Sequence, residues 1–409
     1  MATYRHRNPT RPSPATVSVT MEPDQLNRDL TSAEIRILTA ASLISPSPNP
    51  GMRTVSAAAL YPTTSTKTLE LPEHMTSVAA MEHVGFTPAA ATQVFNNYYT
   101  CPDPDNYPYG LISHAHDKVK HPRSMAQVGL RTEFQDALLD PTFKDVLRTN
   151  TLLYWVQATL SGRYRMLSDL SVRLKRLAER LEGNSAAARC RGVEMPEEVM
   201  RRPPPRPEGE CYLLYKGQAA RTVWYAGEEW EKDGSFNMRQ LASLPVPPGD
   251  FNGRIPAVYF NLEAETAELY RAWAARRDQY CETLMIRVEL PKGYVDGLKQ
   301  EEVFYGKNWK DLAWVHPSLH GTRFREYREA ELIKGHVCTG VQKKRWMKVE
   351  EVQEKISKKN AMKVPERDEE VMAVQWAFLS AEHEGLGVAS AGNVFVDVIP
   401  PECLFGESP

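Results

Sequence analysis

The sequence has no apolar run of the roughly 18–20 residues that a bilayer-spanning helix requires. Its first residues also lack the apolar segment of a secretory signal, although Arg5, Arg7 and Arg11 make them basic. We therefore expect neither membrane insertion nor secretion. The expected location is intracellular, either cytoplasmic or nuclear, or within a virus particle.

Paired cysteines are also missing. The six cysteines are scattered, so the sequence offers no CxxC redox pair and no zinc knuckle. A chain of 409 residues needs no disulfides to hold its core, and we expect reduced thiols. His114, His116 and His121 are the densest histidine group, but on a helix they would point in different directions. We therefore expect no metal site.

Neither sign of charge is in excess. The net charge is −2, from 50 Lys and Arg against 52 Asp and Glu, whereas a surface that binds nucleic acid throughout is strongly basic. One segment, residues 343–363, does concentrate lysine around Trp346. Two interpretations stay open for it. The segment binds nucleic acid through lysines and a stacked Trp, or it is a solvated helix in which pairs such as Glu351 and Lys355 balance.

Proline divides the chain. The run Pro203-Pro204-Pro205 lies in a segment whose composition predicts an extended linker. The first residues are rich in Pro, Arg, Ser and Thr and lack the apolar content of a core. The sequence therefore predicts a disordered tail at 1–21, a helical domain at 22–193, a linker at 194–209 and an α+β domain at 210–409.

The strongest helical pattern runs from about Phe143 to Glu182. Apolar residues recur there at alternating steps of three and four, interrupted by Arg163. Two interpretations stay open for this heptad stripe, either packing onto the other N-terminal helices or a coiled-coil contact through residues 153–181 with a second copy or a protein partner. The stripe consists of Leu153, Val156, Leu160, Leu167, Leu170, Leu174, Leu177 and Leu181.

Beyond the linker the apolar pattern changes to short runs that predict strands, with few helices between them. This order favours an α+β fold over an alternating βαβ fold. The predicted strands are 211–215, 256–260, 283–290, 331–337 and 394–399, and the predicted helices are 264–277 and 371–381.

Beyond the linker, several short sequence fragments occur in an order that is typical of one type of domain. Tyr215-Lys216-Gly217 ends the first predicted strand, Val258-Tyr259-Phe260-Asn261 forms the second, and an Ala- and Tyr-bearing helix follows. Asn308-Trp309 and a later strand led by Glu331 complete the order. Over about residues 210–340 this arrangement resembles the ADP-ribosyltransferase-like domains.

The resemblance implies a site for NAD. Lys216, Tyr259 and Asn261 would contact the dinucleotide, and Glu331 would stabilise the positive ribosyl centre as nicotinamide leaves. The sequence departs from the family pattern at three points. Lys216 stands where the family has Arg or His, Asn261 stands where it has Ser or Thr, and no Glu-x-Glu motif lies near Glu331.

Three functions stay open on this evidence. We favour a non-catalytic structural or assembly protein, a viral particle or scaffold component, built on a divergent ADP-ribosyltransferase-like domain. The first alternative is an NAD-dependent ADP-ribosyltransferase or NAD glycohydrolase, with NAD as substrate. The second is a protein that binds nucleic acid through 343–363. We rank the non-catalytic function first because the expected catalytic positions depart from the family pattern.

Overall fold

The computed structural model describes residues 29–99, 119, 121–183, 210–220, 238–243, 250–251, 256–314, 327, 329–340, 348–365, 367, 370–379 and 383–404. Three predictions lie outside these residues: the disordered tail at 1–21, the linker at 194–209, and the placement of His114, His116 and Trp346.

The N-terminal half combines helices with a small sheet, whereas the sequence predicted helices alone. Strands β1 (Ile44–Pro46), β2 (Met52–Ser56) and β3 (Thr68–Pro72) form an antiparallel sheet in the order β1-β2-β3. These strands are too short for their apolar alternation to stand out from the surrounding loops. The helices are α1 (Ser32–Ala40), α2 (Val78–Val84), α3 (Pro88–Tyr99), α4 (Pro122–Gln127), α5 (Thr132–Leu139), α6 (Lys144–Leu147) and α7 (Leu152–Leu181).

Local signals place several of these helices where the sequence predicted them. Thr31 and Glu34 form the predicted capping box at the start of α1. Gly85 ends α2 with a φ of 136°, a conformation that favours glycine, and α3 then begins at Pro88.

Helix α7 is shorter at its N-terminus than predicted. It begins after Thr151, whose side chain accepts a hydrogen bond from the Tyr154 amide, and it continues through Gly162 without a break. Most of the heptad stripe is buried in the core of the N-terminal half, against α1 and α2. The stripe thus has partners within the chain, and Leu181, 49% exposed, is its most exposed member.

The C-terminal half is built on a large mixed sheet. Its strands are β4 (Cys211–Ala219), β5 (Ala242–Ser243), β6 (Ala257–Asn261), β7 (Thr283–Pro291), β8 (Gln300–Val303), β9 (Leu332–His336), β10 (Val374–Leu379) and β11 (Val394–Ile399). The order is β11-β7-β4-β6-β10-β9-β8, with β5 also paired to β6, and all pairs are antiparallel except β8 with β9. The helices are α8 (Ala264–Arg277), α9 (Lys292–Gly297), α10 (Lys307–Ala313), α11 (Val352–Lys355) and α12 (His383–Ala389).

The predicted helix at 371–381 is wrong, because this segment forms β10 between β6 and β9. Residues 375–379 are all buried, so both faces of the strand are covered. A strand covered on both faces shows no alternation of apolar and polar residues, and its sequence does not distinguish it from a buried helix. The mixed α+β class is confirmed.

Helix α8 joins the two halves. It packs on β4 at Gly217, where a Cβ atom would lie 1.9 Å from the Ala267 carbonyl oxygen. On its other side Trp273 meets the ring of Trp155 edge to face, with centroids 5.8 Å apart. The apolar core of the N-terminal half therefore continues into the C-terminal half through α8.

Candidate functional site at the branch of the large sheet

The edge of β6 that faces β4 is shared by two strands. β4 pairs with β6 at Tyr215 and Asn261, and β5 pairs with it at Val258 and Ala257. Between these pairs the ammonium group of Lys216 donates a hydrogen bond of 3.1 Å to the Tyr259 carbonyl oxygen. Lys216 thus supplies a hydrogen-bond donor to β6 at the position between its pairing with β4 and its pairing with β5. We call this region the sheet branch.

The Lys216 side chain lies on one face of the sheet. It shares that face with Leu214 and Phe260, because alternate residues of a strand point to the same side. Burial in these apolar surroundings lowers the pKa of Lys216 to about 8. Such an amine is partly neutral near pH 8 and can act as a nucleophile or a base.

Tyr259 and Asn261 lie on the opposite face. The Tyr259 side chain packs against a second apolar cluster, and its hydroxyl oxygen accepts a hydrogen bond of 3.1 Å from the Phe251 amide. Asn261, 8% exposed, stands in register with Tyr215 on one side and Gln375 on the other. Lys216 therefore reaches the backbone of Tyr259 and not the face that carries the Tyr259 and Asn261 side chains.

A buried carboxylate completes this opposite face. Asp250 accepts hydrogen bonds from the Gln375 side-chain amide, 2.8 Å, and from the Cys338 backbone amide, 2.9 Å. Burial raises the pKa of Asp250 to about 6, although both hydrogen bonds act to lower it. The carboxylate thereby links β10 to the residues that follow β9.

Sequence reasoning missed both Asp250 and Gln375. Asp250 follows Pro248 and Gly249, a composition typical of a turn, and nothing in it signals burial. The sequence predicts a helix around Gln375, and a helix gives no register between Gln375 and Asn261. A strand assignment for β10 would have placed the two side chains on one face.

Glu331 lies apart from these residues. Its carboxylate accepts a hydrogen bond of 2.7 Å from the Lys299 amide, just before β9 begins. Two strands, β6 and β10, stand between β4 and β9 in the sheet. At about 4.8 Å per strand, the backbones of β4 and β9 lie roughly 14 Å apart across the sheet. The structure therefore brings Tyr259 and Asn261 together on one face, and Lys216 and Glu331 lie elsewhere.

The described part of the basic segment, residues 348–363, carries paired lysines. Lys355 forms an ion pair of 2.6 Å with Glu351, and Lys358 pairs with Glu370. Such pairs reduce the positive field that a phosphate backbone would meet.

No protein-family model matches the chain, and no match was found among the curated proteins or the solved structures. Within the described residues, no helix combines the length and the apolar character needed to cross a bilayer. The same residues contain no group of three or more His, Cys, Asp or Glu side chains placed to hold a metal ion.

Proposed function

We propose that this chain is a non-catalytic structural or interaction protein, with a C-terminal domain that is a divergent form of the ADP-ribosyltransferase-like fold. One observation carries the proposal. Lys216 lies on one face of the sheet, Tyr259 and Asn261 lie on the other, and Glu331 stands beyond two further strands.

Nicotinamide release requires groups that act on one dinucleotide at once. A carboxylate that stabilises the ribosyl cation must lie within hydrogen-bond reach, about 3 Å, of the reacting sugar. The strands next to Lys216 and Glu331 are roughly 14 Å apart across the sheet, and we infer from this that the two groups do not form one site. Each also has a structural partner, the Tyr259 carbonyl oxygen for Lys216 and the Lys299 amide for Glu331.

The shared core of the two halves also supports a scaffold role. Trp273, Cys281 and Leu404 of the C-terminal half belong to the same apolar cluster as the N-terminal helices. A structural component needs a rigid body of this kind to hold its contact surfaces in fixed relative positions.

The test is incubation of the full-length protein with millimolar NAD. We expect no saturable NAD binding and no nicotinamide release. Wild type is compared with Glu331→Gln and with Glu329→Gln, a matched control in which the altered carboxylate is 81% exposed and pairs with Lys299. Release that Glu331→Gln abolishes and Glu329→Gln retains would overturn the proposal in favour of the transferase or glycohydrolase.

Self-association is tested separately. Light scattering gives the mass in solution, to be compared with the 46.3 kDa of one chain. The exposed end of the heptad stripe is the contact we propose, so Leu181→Glu should convert an oligomer into a monomer. A wild-type protein that is already monomeric would remove self-association from the proposed function.

A further inference from the structure

Two neighbouring aromatic side chains are exposed at one end of the large sheet. Phe304 is 40% exposed and Tyr305 is 36% exposed, and both follow β8 directly. His336, the last residue of β9, lies beside them, with its ring centroid 5.1 Å from that of Phe304. We call these three residues the aromatic patch. It shares no residue with the sheet branch.

The aromatic patch is held in place by contacts with β9 and α10. The Tyr305 backbone amide donates a hydrogen bond of 3.0 Å to Nδ1 of His336. The buried Trp309 meets the Tyr305 ring edge to face, with centroids 5.6 Å apart, and its indole donates to the His336 carbonyl oxygen at 2.8 Å. Groups that are positioned before a ligand arrives lose little entropy on binding.

The same contacts fix the proton on the His336 ring. A backbone amide can only donate, so Nδ1 is unprotonated and the proton of the neutral ring is on Nε2. Burial and the nearby Lys358 lower the pKa of His336, which keeps the ring neutral at pH 7. Nε2 has no hydrogen-bond partner among the described residues, and it therefore offers one N–H donor to a ligand.

Two exposed lysines flank the aromatic patch. Lys307 begins α10, two residues after Tyr305. Lys359 follows Lys358, whose charge acts on His336. Neither Lys307 nor Lys359 forms an ion pair with a described residue, so both are free to contact a phosphate.

The excess of positive charge around the aromatic patch is small. Lys358 pairs with Glu370, and Glu350 and Glu354 are exposed on the same segment. Stacking on the rings must therefore supply most of the binding free energy, with the lysines in a secondary role. Phe304 is the more open of the two rings, because Nζ of Lys310 lies 5.5 Å from the Tyr305 centroid.

These groups match the parts of a nucleotide. A base has a flat π-face that stacks on an aromatic ring, carbonyl oxygens that accept a hydrogen bond, and a phosphate that attracts lysine. An apolar peptide would cover the rings but leave the lysines and the His336 donor unused. The combination favours nucleic acid, and single strands in particular, since their bases are free to stack.

We propose that the aromatic patch binds single-stranded nucleic acid, with a base stacked on Phe304, its neighbour against Tyr305, and Lys307 and Lys359 beside the phosphates. The Nε2–H of His336 donates to a base carbonyl oxygen. This activity goes beyond the proposed function and uses a different surface. It also differs from binding by the lysine-rich segment alone, because β8, β9 and α10 supply the rings.

The probe is a fluorescently labelled strand of about ten nucleotides, a length within the site sizes of proteins that bind single strands. Oligo-dT and oligo-U are titrated separately with the full-length protein. We expect saturable binding with a dissociation constant of about 1–100 μM at low salt. Both strands offer the same stacking chemistry, and the tighter one identifies the nucleic acid.

Variants of the patch separate stacking from charge. Phe304→Ala should weaken binding at least about fivefold, because it removes the more open ring. Lys359→Gln should weaken binding less and reduce the dependence of log affinity on log salt by about one. Phe304→Leu keeps an apolar side chain but has no π-face, so it should also bind weakly, and it serves if Phe304→Ala does not fold.

Two substitutions in the N-terminal half are the matched controls. Leu139 is 37% exposed on α5 and Lys144 is exposed on α6, so Leu139→Ala and Lys144→Gln remove similar groups from another surface. Both should bind as wild type does. Absence of binding by wild type would overturn the proposal, and so would wild-type affinity in Phe304→Leu.

Light scattering on the same proteins covers a protein contact at this surface. If wild type is an oligomer that Phe304→Leu converts into a monomer, the aromatic patch joins copies of this chain and the proposal is wrong. We expect the two proteins to have the same mass. The NAD experiment is independent of this result, because the aromatic patch and the sheet branch share no residue.

Discussion

Arg173 and Glu282 form an ion pair of 2.7 Å that connects α7 to the residue before β7. Arg173 also donates to the Leu60 carbonyl oxygen at 2.9 Å, and the Glu282 side chain is only 7% exposed. The pair therefore joins the N-terminal helices to the large sheet at a point from which water is largely excluded.

Loss of one partner should destabilise the chain strongly. Arg173→Met leaves the Glu282 carboxylate buried without its cation, and we expect the free energy of unfolding to fall by about 3 kcal/mol. Urea unfolding measures this change. Arg176→Met, at an exposed position one turn along α7, is the control and should stay within about 0.5 kcal/mol of wild type. Equal effects of the two variants would contradict the prediction.

Lys216 should make stability rise with pH in the alkaline range. Its pKa is about 8 in the folded chain, against an ordinary value of 10.5. Between these values the unfolded chain binds more protons, so the free energy of unfolding increases with pH, by up to roughly 3 kcal/mol. The stability of wild type relative to Lys216→Met, measured by urea unfolding, should therefore increase between pH 8 and 10.5, since the contributions of the other titrating groups cancel in this difference. Relative to Lys359→Met, a substitution at an exposed position, wild type should show no such increase.

The Asp250 carboxyl should lower the free energy of unfolding as the pH rises in mild acid, which is the opposite of the Lys216 effect. Its pKa is about 6 in the folded chain, against an ordinary value of 3.8. Between these values the folded chain binds more protons, so this carboxyl lowers stability as the pH rises. The stability difference between Asp250→Asn and wild type should therefore shift in favour of the variant from pH 4 to pH 6. A constant difference over that range would contradict the prediction, and Asp136→Asn, at an exposed position on α5, is the control.

Gly217 should not tolerate a side chain. A Cβ atom there would lie 1.9 Å from the Ala267 carbonyl oxygen and 2.7 Å from the Arg271 amide nitrogen, so α8 would have to move away from β4. Gly217→Ala should lower the free energy of unfolding by about 3 kcal/mol or prevent folding. Gly293→Ala, which meets nothing within 4 Å, should remain close to wild type in the same urea experiment.

Local chemistry made part of the fold predictable. The capping box at Thr31, the break at Gly85 and the helix from Ala264 to Arg277 follow from residues that act within a few positions of one another. The strands β7 and β11 were recognisable for a similar reason, since each is a short run rich in β-branched residues ended by proline.

The parts that escaped prediction depend on distant contacts. β10 became a strand because β6 and β9 flank it, a fact absent from its own sequence. The opposite faces of Lys216 and Asn261 follow from strand register, which a list of motifs cannot supply. Asp250 is buried by segments far along the chain, such as Cys338 and Gln375, and its own neighbours suggest only a turn.

Helix α8 lies between the sheet and the N-terminal helices, and this position bears on what proteolysis would do. A protease that cut the chain within residues 194–209 would sever the covalent connection but leave Trp273 against Trp155 and Glu282 against Arg173. The two fragments should then migrate together as one particle under native conditions and separate only in denaturant. The N-terminal fragment expressed alone would expose the apolar surface that α8 covers, and the C-terminal fragment alone would expose the face of α8 that carries Trp273. We therefore expect each fragment to aggregate unless the other is supplied.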